Sequence, residues 1–278
     1  MLPIDWKLAI QYAQLVNLAY EVLPTGDDNQ LTSALAALNL KYLHTLYANE
    51  LATDIDPHLG QCVSFGFLAV SESGELIAAI RGTETIWEWM HDASFLMVPS
   101  VIQGVAGLTE DGFTDVYRSL RIDKTAGAPT AIASIATYLS GGTASKVTVC
   151  GHSLGAALAT LLTADVAANS PCRTPVSYTY ASPRTGDHIF ANSYNALVPA
   201  TYRVANRQDL VPQLPPILPL PYEHVNTLYA LVPPPNAINL TIPCMHYLST
   251  YLWLMGKQAG VDAGPLNAAC AAAVPPGH

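Results

Sequence analysis

Charged side chains are scarce in this sequence of 278 residues, where Asp, Glu, Lys and Arg together make up 12%. The 12 lysines and arginines form no cluster along the chain, and the formal net charge is −9. A basic surface that could bind a nucleic-acid backbone is therefore not expected. We predict no nucleic-acid partner.

Long apolar runs are also absent, and none approaches the ~18 residues that a membrane-spanning helix needs. The N-terminal stretch, MLPIDWKLAIQYAQLVNLAY, has an acid where a secretory leader has bases, and its apolar residues recur at helical spacing. It predicts an amphipathic helix. We expect no transmembrane segment and, by default, a cytoplasmic protein, with secretion of a mature or leaderless form left open.

Cysteine pairs at metal-binding or redox spacing are missing. None of the five cysteines forms a CxxC motif, which excludes the common zinc and dithiol centres, and we predict neither a metal nor a cofactor. Without a leader, free thiols are the favoured interpretation, and a Cys172–Cys244 bridge is the alternative. The five positions are Cys62, Cys150, Cys172, Cys244 and Cys270.

Strand and helix patterns alternate along the chain. A hairpin is expected over residues 63–81, and helices are expected at residues 113–120 and 130–139. Further short strands follow at residues 146–150, 176–181 and 201–205, with a helix over residues 154–169. This order predicts one α/β domain over residues 1–278, with a mostly parallel central sheet whose functional loops lie at the carboxyl ends of the strands.

The stretch VTVCGHSLGAALATL, residues 147–161, places a serine where a strand pattern becomes a helix pattern. The motif Gly-x-Ser-x-Gly is typical of a strained turn that presents the hydroxyl of Ser153 as a nucleophile. Glycines are needed at Gly151 and Gly155 because neighbouring backbone passes too close for a Cβ atom. Adjacent side chains in such a turn point apart, so we predict a structural role for His152.

A nucleophilic serine needs an acid and a base, and in this type of fold both follow it in the chain. Asp209 directly follows a predicted strand, which favours it as the acid. Spacing does not choose between His224 and His246 as the base, but the apolar helix predicted after His246 would anchor that ring. The other candidates are the acids Asp165, Asp187, Glu223 and Asp262 and the C-terminal His278.

Taken together, these motifs resemble the class 3, or fungal-type, triacylglycerol lipases, which have the α/β-hydrolase fold. The resemblance covers most of the chain and implies Ser153 as nucleophile, Asp209 as acid and His246 as base. One position departs from the family pattern, since Glu110 stands where a histidine is usual. The landmarks, in family order, are RGT (81–83), Gly112-Phe113, GHSLGA (151–156), SPRTG (182–186), NRQDLVP (206–212) and His246-Tyr247-Leu248.

The resemblance also implies an oxyanion hole and a lid. The oxyanion donors would be the backbone N–H of Leu154 and that of Thr83, with the Thr83 hydroxyl as a further donor. A short lid helix would follow, carrying Ile86, Trp87, Trp89 and Met90, although the same residues suit an ordinary core helix. Residues 95–98 and 214–220 would line an acyl groove or, alternatively, belong to the core.

The function that this resemblance implies is hydrolysis of acylglycerol esters through an acyl-enzyme intermediate, without a cofactor, at a lipid–water interface. Two alternatives stay open within the enzymes: a phospholipase A1 and an esterase for soluble or aromatic esters. A third alternative from another class is a catalytically silent lipid-binding module.

Overall fold

The fold is described from a computed structural model, which covers residues 2–50, 61–83, 95–125 and 127–272. Its centre is a seven-stranded sheet with the order β1-β2-β3-β6-β7-β9-β11. The first three strands are antiparallel to one another, and every pairing from β3 onward is parallel. The strands are β1 (Leu40–Asn49), β2 (Cys62–Ser71), β3 (Glu75–Ile80), β6 (Lys146–His152), β7 (Val176–Tyr180), β9 (Thr201–Asn206) and β11 (Leu228–Leu231).

Helices cover both faces of this sheet and create two apolar cores. One core lies against α3 to α6, and the other lies against α1 and α8. Helix α5 is buried along almost its whole length, as its alanine- and leucine-rich sequence requires. The helices are α1 (Trp6–Val22), α2 (Asp28–Ala37), α3 (Asp111–Arg118), α4 (Ala131–Ser140), α5 (Leu154–Asn169), α6 (His188–Leu197), α7 (Ile242–His246) and α8 (Leu248–Ala259).

The predicted fold class, an α/β-hydrolase with a mostly parallel sheet flanked by helices, is confirmed. Helix α5 has the predicted bounds, and the hairpin β2–β3 is antiparallel as expected. A second, small antiparallel sheet in the order β10-β8-β5-β4 was not predicted. Its strands are two or three residues long, too short for a period-2 pattern to register: β4 (Met97–Pro99), β5 (Leu108–Glu110), β8 (Gly186–Asp187) and β10 (Tyr222–Glu223).

The prediction of free thiols is wrong for two cysteines. Cys244 and Cys270 form a disulfide across 26 residues, so Cys244 pairs with a partner other than Cys172. The remaining three cysteines are free. The sequence interpretation failed because it drew the redox compartment from the missing leader, which is an indirect argument. The bridge fixes α7, the short helix that ends at His246.

Across the described ranges, no helix combines the length and apolarity that crossing a bilayer demands.

Candidate active site

Ser153 lies at the turn between β6 and α5, with backbone angles φ 60° and ψ −128°. Such a conformation costs about 1 to 3 kcal/mol in a residue with a side chain, so the surroundings must enforce it. A Cβ atom on Gly151 would lie 2.2 Å from the carbonyl oxygen of Gly155, and one on Gly155 would lie 2.4 Å from that of Arg81. The two glycines therefore let strand, turn and helix approach closely enough to hold the serine in place.

The three residues that the sequence nominated as a triad form one hydrogen-bonded chain. The hydroxyl of Ser153 lies 2.8 Å from Nε2 of His246, and Nδ1 of His246 lies 2.9 Å from Oδ2 of Asp209. All three side chains are buried, with Ser153 only 1% exposed. A carboxylate at Nδ1 keeps the proton on that nitrogen, which leaves Nε2 free to accept the serine proton.

Asp209 receives further hydrogen bonds that hold its carboxylate. The hydroxyl of Tyr251, on α8, donates to Oδ2 at 2.7 Å, and the backbone N–H of Val211 donates to Oδ1 at 3.0 Å. Burial and the Asp209 charge raise the pKa of Tyr251 well above its ordinary value, so the phenol stays a donor. Sequence reasoning missed Tyr251, because its helix was identified only as an apolar anchor for His246.

His152 lies beneath the base and connects it to α1, which agrees with a structural role. Its Nε2 donates to the carbonyl oxygen of His246 at 2.9 Å. Burial, with the neighbouring His246, lowers the pKa of His152 well below its ordinary value, so Nδ1 accepts a hydrogen bond from the Tyr20 hydroxyl at 2.9 Å. The Tyr20 oxygen in turn accepts from the backbone N–H of Gly82 at 2.7 Å.

Both proposed oxyanion donors lie beside the serine. Leu154 is the first residue of α5, where N–H groups have no acceptor within the helix and the helix dipole is positive. A Cβ on Gly82 would lie 2.9 Å from Cβ of Ser153, which places the segment leading to Thr83 directly against the nucleophile. The Thr83 hydroxyl donates to the Glu50 carboxylate at 2.9 Å. Sequence reasoning missed Glu50, because no motif surrounds it that would predict the contact with Thr83.

Three of the other acidic candidates form contacts elsewhere, and the fourth, Glu223, is exposed on β10. Asp187 caps α6 by accepting from Phe190 N–H at 2.8 Å, and Asp165 accepts from the Tyr117 hydroxyl at 2.5 Å. Asp262 is exposed and closes a local turn with Gly264. None of these three carboxylates contacts a triad residue through a hydrogen bond.

His224, the alternative base, donates from Nε2 to the carbonyl oxygen of Pro212 at 2.7 Å. Burial lowers the pKa of His224 to about 3, and the guanidinium groups of Arg203 and Arg184 add to the effect. His278, the third histidine considered, lies outside the described residues.

Glu110, which departs from the family pattern, caps the N-terminus of α3. Its Oε2 accepts from the backbone N–H of Phe113 at 2.7 Å. Burial raises the pKa of Glu110 to about 7. A carboxyl therefore does the capping in this chain.

The lid residues of the prediction, Ile86, Trp87, Trp89 and Met90, lie outside the described residues. Of the residues nominated for an acyl groove, Leu96, Ile217 and Leu218 are exposed, which rules out ordinary core for them. Tyr222 connects the two groove segments, because its hydroxyl contacts the carbonyl oxygens of Phe95 and Leu96 and its backbone N–H donates to the carbonyl oxygen of Leu220. Within the part of the chain that is described, no group of His, Cys, Asp and Glu residues is arranged to hold a metal ion.

The chain is similar in sequence to known lipases and phospholipases. The chain is 32% identical over 174 residues to the secreted mono- and diacylglycerol lipase A of Penicillium cyclopium, and the match covers 62% of this chain and 53% of that protein. It is 30% identical over 190 residues to phospholipase A1-II 2 of Oryza sativa subsp. indica, covering 56% of this chain and 47% of that protein. The chain thus spans about half the length of these relatives.

Solved structures show the same fold. The nonglycosylated LIP2 lipase of Yarrowia lipolytica superposes with a TM-score of 0.64 at 20% identity, over 85% of this chain and 84% of that one. A mono- and diacylglycerol lipase mutant from Penicillium cyclopium superposes with a TM-score of 0.60 at 23% identity, over 84% and 83% of the two chains.

The family model described as lipase (class 3) matches residues 77–218, just over half of the chain. Its span holds Ser153, Asp209 and both proposed oxyanion donors, and the proposed base, His246, lies beyond it. The chain belongs to the class 3 lipase family.

Proposed function

We propose that the chain is a serine carboxylic ester hydrolase that cleaves acylglycerol esters through an acyl-enzyme intermediate. The observation that carries the proposal is the hydrogen-bonded chain from Ser153 through His246 to Asp209. Membership of a lipase family and relatives named as mono- and diacylglycerol lipases support the substrate class.

The reaction follows from the geometry. Ser153 Oγ attacks the ester carbonyl while His246 Nε2 takes the hydroxyl proton, and Asp209 stabilises the imidazolium that forms. The backbone N–H groups of Leu154 and Thr83 donate to the oxyanion. When the tetrahedral intermediate collapses, His246 gives its proton to the leaving alcohol. Water then attacks the acyl-enzyme by the same steps, releasing the fatty acid and restoring Ser153.

A lipid–water interface is part of the proposal. Leu96, Ile217 and Leu218 expose 56%, 59% and 76% of their surface, on segments that Tyr222 holds together. Apolar groups exposed in this way are suited to contact with lipid. The lid predicted from the sequence, which carries Ile86, Trp87, Trp89 and Met90, stays part of the proposal.

The compartment proposed is an oxidising one. The Cys244–Cys270 disulfide persists outside reducing cytosol, and two of the relatives are named as secreted lipases. These findings do not support the cytoplasmic default of the sequence interpretation. We also keep the proposal that residues 1–278 form a single domain, since the central sheet is continuous and both cores pack against it.

Labelling with a fluorophosphonate tests the chemistry. We expect Ser153 to be labelled in the native protein and no labelling of the Ser153→Ala variant. An unlabelled native protein that still binds lipid would favour the silent binding module. A labelled protein that cleaves only soluble short-chain esters would be an esterase.

A substrate panel then tests the class of lipid, and phospholipase A1 is a second candidate because several relatives carry that name. We expect mono-, di- or triacylglycerol to be cleaved faster than phosphatidylcholine. Release of the sn-1 acyl chain from phosphatidylcholine at the highest rate of the panel would replace the acylglycerol proposal with the phospholipase one.

The lid assignment has its own test. The rate on a sparingly soluble triacylglycerol should rise sharply above its solubility limit, and Trp89→Ser should weaken that rise more than hydrolysis of a soluble ester. Equal effects on both substrates would show that the tryptophan belongs to ordinary core.

A further inference from the structure

A cavity of about 480 Å³ lies behind Asp209, and the reacting atoms of Ser153 and His246 do not line it. Three of the chain's arginines, Arg184, Arg203 and Arg207, border it. This concentration of cations is unexpected in a chain that has only 12 basic residues and a net charge of −9. The cavity's wall is completed by Ala205, Asn206, Pro212, Gln213, His224 and Leu228.

Arg203 carries the argument, because the residue is almost fully buried and its guanidinium has no anionic partner among the described residues. The residue is 6% exposed, and its Nε donates to the carbonyl oxygen of Val225 at 3.2 Å. Its terminal nitrogens make no hydrogen bond to any described residue, and no carboxylate in the described ranges pairs with it. A buried charge without a partner is costly, so a ligand that supplies one binds favourably.

The other two arginines leave the charge equally uncompensated. Arg184 donates to the carbonyl oxygens of Gln213 and Pro215, which are neutral acceptors. Arg207 is exposed. Asp209 also borders the cavity, but its oxygens already accept hydrogen bonds from His246, Tyr251 and Val211.

The field of these arginines acts on the histidine beside them. His224 borders the cavity, and its pKa is held low by burial and by the charges of Arg203 and Arg184. The ring is therefore neutral and adds no charge. With three guanidinium groups and one carboxylate, the lining carries a net charge of +2.

We propose that this cavity binds the phosphoryl group of a phosphate or phosphomonoester dianion. Such a group carries about −1.5 to −2 charges at neutral pH, which offsets the charge of the lining. Its tetrahedral oxygens match the paired N–H donors of guanidinium groups, which bind phosphate in bidentate fashion. A cavity of about 480 Å³ holds this group together with a short organic substituent such as glycerol.

Binding is measured by calorimetry and by thermal unfolding on the Ser153→Ala protein, so that turnover plays no part. The probes are inorganic phosphate, glycerol phosphate and vesicles of phosphatidylcholine with or without phosphatidic acid, and sodium chloride serves at equal ionic strength. At about a hundred times the Kd, we expect phosphate or glycerol phosphate to raise the Tm by about 5 °C. Binding only to vesicles with phosphatidic acid would identify a lipid headgroup as the source of the same chemistry.

Variants separate the site from a general salt effect. Arg207→Ala, at an exposed position, should weaken phosphate binding about tenfold or more, and Arg203→Met should abolish it. Arg118→Ala removes an equally exposed positive charge that pairs with Asp115 instead, and it should bind phosphate like the parent. If Arg203→Met does not fold, Arg207→Ala and Arg118→Ala still decide the question.

Two outcomes would overturn the proposal. In the first, phosphate binds no more tightly than chloride, and the arginines then serve only to hold the proline-rich loop through its carbonyl groups. In the second, Arg207→Ala and Arg118→Ala lose the same stabilisation, and the effect is then one of general ionic strength. Neither outcome depends on the proposed hydrolase activity, which the fluorophosphonate experiment tests separately.

Discussion

His246 is buried and His224 is half-buried, and the charged groups around the two rings have opposite signs. His246 donates to the Asp209 carboxylate, and its other nitrogen faces the hydroxyl of Ser153. His224 donates to a neutral carbonyl and lies among arginines, which helps keep its pKa at about 3. A carboxylate stabilises an imidazolium, whereas a guanidinium opposes it. The imidazole of His246 is therefore suited to proton transfer, whereas that of His224 is not.

The comparison shows what separates a base from a spectator. Distance along the chain did not distinguish the two histidines, since both follow Asp209 in the sequence. The sign of the charge beside each imidazole ring distinguishes them: a carboxylate lies beside His246, and guanidinium groups lie beside His224. Experiments that exchange or remove those charges therefore test the assignment most directly.

The largest effect is expected from removing the triad groups themselves. Ser153→Ala and His246→Ala should each lower kcat on a soluble ester at least a thousandfold, to about the same residual rate, because triad residues act as a unit. His224→Ala should stay within about tenfold of the native rate. The measurement is steady-state hydrolysis, with thermal unfolding to verify that each variant folds.

If His224→Ala were inactive and His246→Ala active, the roles assigned to the two sides of Asp209 would be reversed. If both variants were inactive but folded, imidazole added to the solution should restore activity only to the variant that lacks the base.

The next effect concerns the disulfide, which ties α7, the helix that carries His246, to Cys270. Replacing Cys244 and Cys270 by serine should lower the free energy of unfolding by about 3 to 4 kcal/mol, from the loop entropy of a closure of this length. The rate should fall as well, because Cys244 is two residues from the base. Urea unfolding and kcat measure the two quantities.

Cys62→Ser, at a free and partly exposed cysteine, is the matched control and should change neither. Phosphate binding behind Asp209 should survive in the double variant. If binding were lost there while kcat was kept, the bridge would support the other side of Asp209 from the one described.

The third effect concerns Glu110, a buried acid, and is measured as a change in stability with pH. The pKa of Glu110 is about 7 in the folded chain against an ordinary value of 4.5, so the folded state holds its proton more tightly. The stability that this provides is full below pH 4.5 and is lost as the pH rises to about 7. Glu110→Gln keeps an oxygen to accept from Phe113 and cannot ionise. It should be more stable than the native protein above pH 7, by at most about 3 kcal/mol.

Denaturant unfolding at pH 5 and pH 8 measures this difference. Glu72→Gln, at an exposed carboxylate in the turn between β2 and β3, should leave the difference between the two pH values unchanged. Parallel pH profiles for the native protein and Glu110→Gln would contradict the expected titration.

The smallest effect is expected from the hydroxyl that supports Asp209. Tyr251→Phe removes the donor at 2.7 Å and should lower kcat about tenfold with little change in KM, because Asp209 keeps its other two partners. Tyr138→Phe, whose hydroxyl contacts His44 far from the triad, is the control. A change in KM alone would mean that Tyr251 affects the shape of the substrate site rather than the carboxylate.

Sequence reasoning succeeded where local pattern and chemistry coincide. The elbow at Ser153 needs glycines on both sides and a strand–helix junction, so the motif implies the geometry that is present. Asp209 was nominated because it follows a predicted strand, and His246 because an apolar helix was predicted after it; the resemblance supported both. The structure brings both residues to the serine.

It failed where contacts join distant parts of the chain. Tyr20 meets His152 across 132 residues, and Glu50 meets Thr83 across 33. Neither Tyr20 nor Glu50 belongs to a local sequence motif, since each contacts its partner only after the chain has folded. The same holds for the arginines behind Asp209, which are separated in the chain and converge only in three dimensions.

The hydrogen bonds from Gly82 through Tyr20 and His152 to His246 have a consequence for anyone who shortens or fuses this protein. The region that matches the family model ends before the base and begins after the helix that holds Tyr20. A fragment cut to that region would keep Ser153 and Asp209 but would lose Tyr20 and His246, two of the four residues in this chain of hydrogen bonds. A tag that displaced α1 would break the hydrogen bonds of Tyr20 to His152 and Gly82. We therefore expect a tag placed directly before this helix to lower activity.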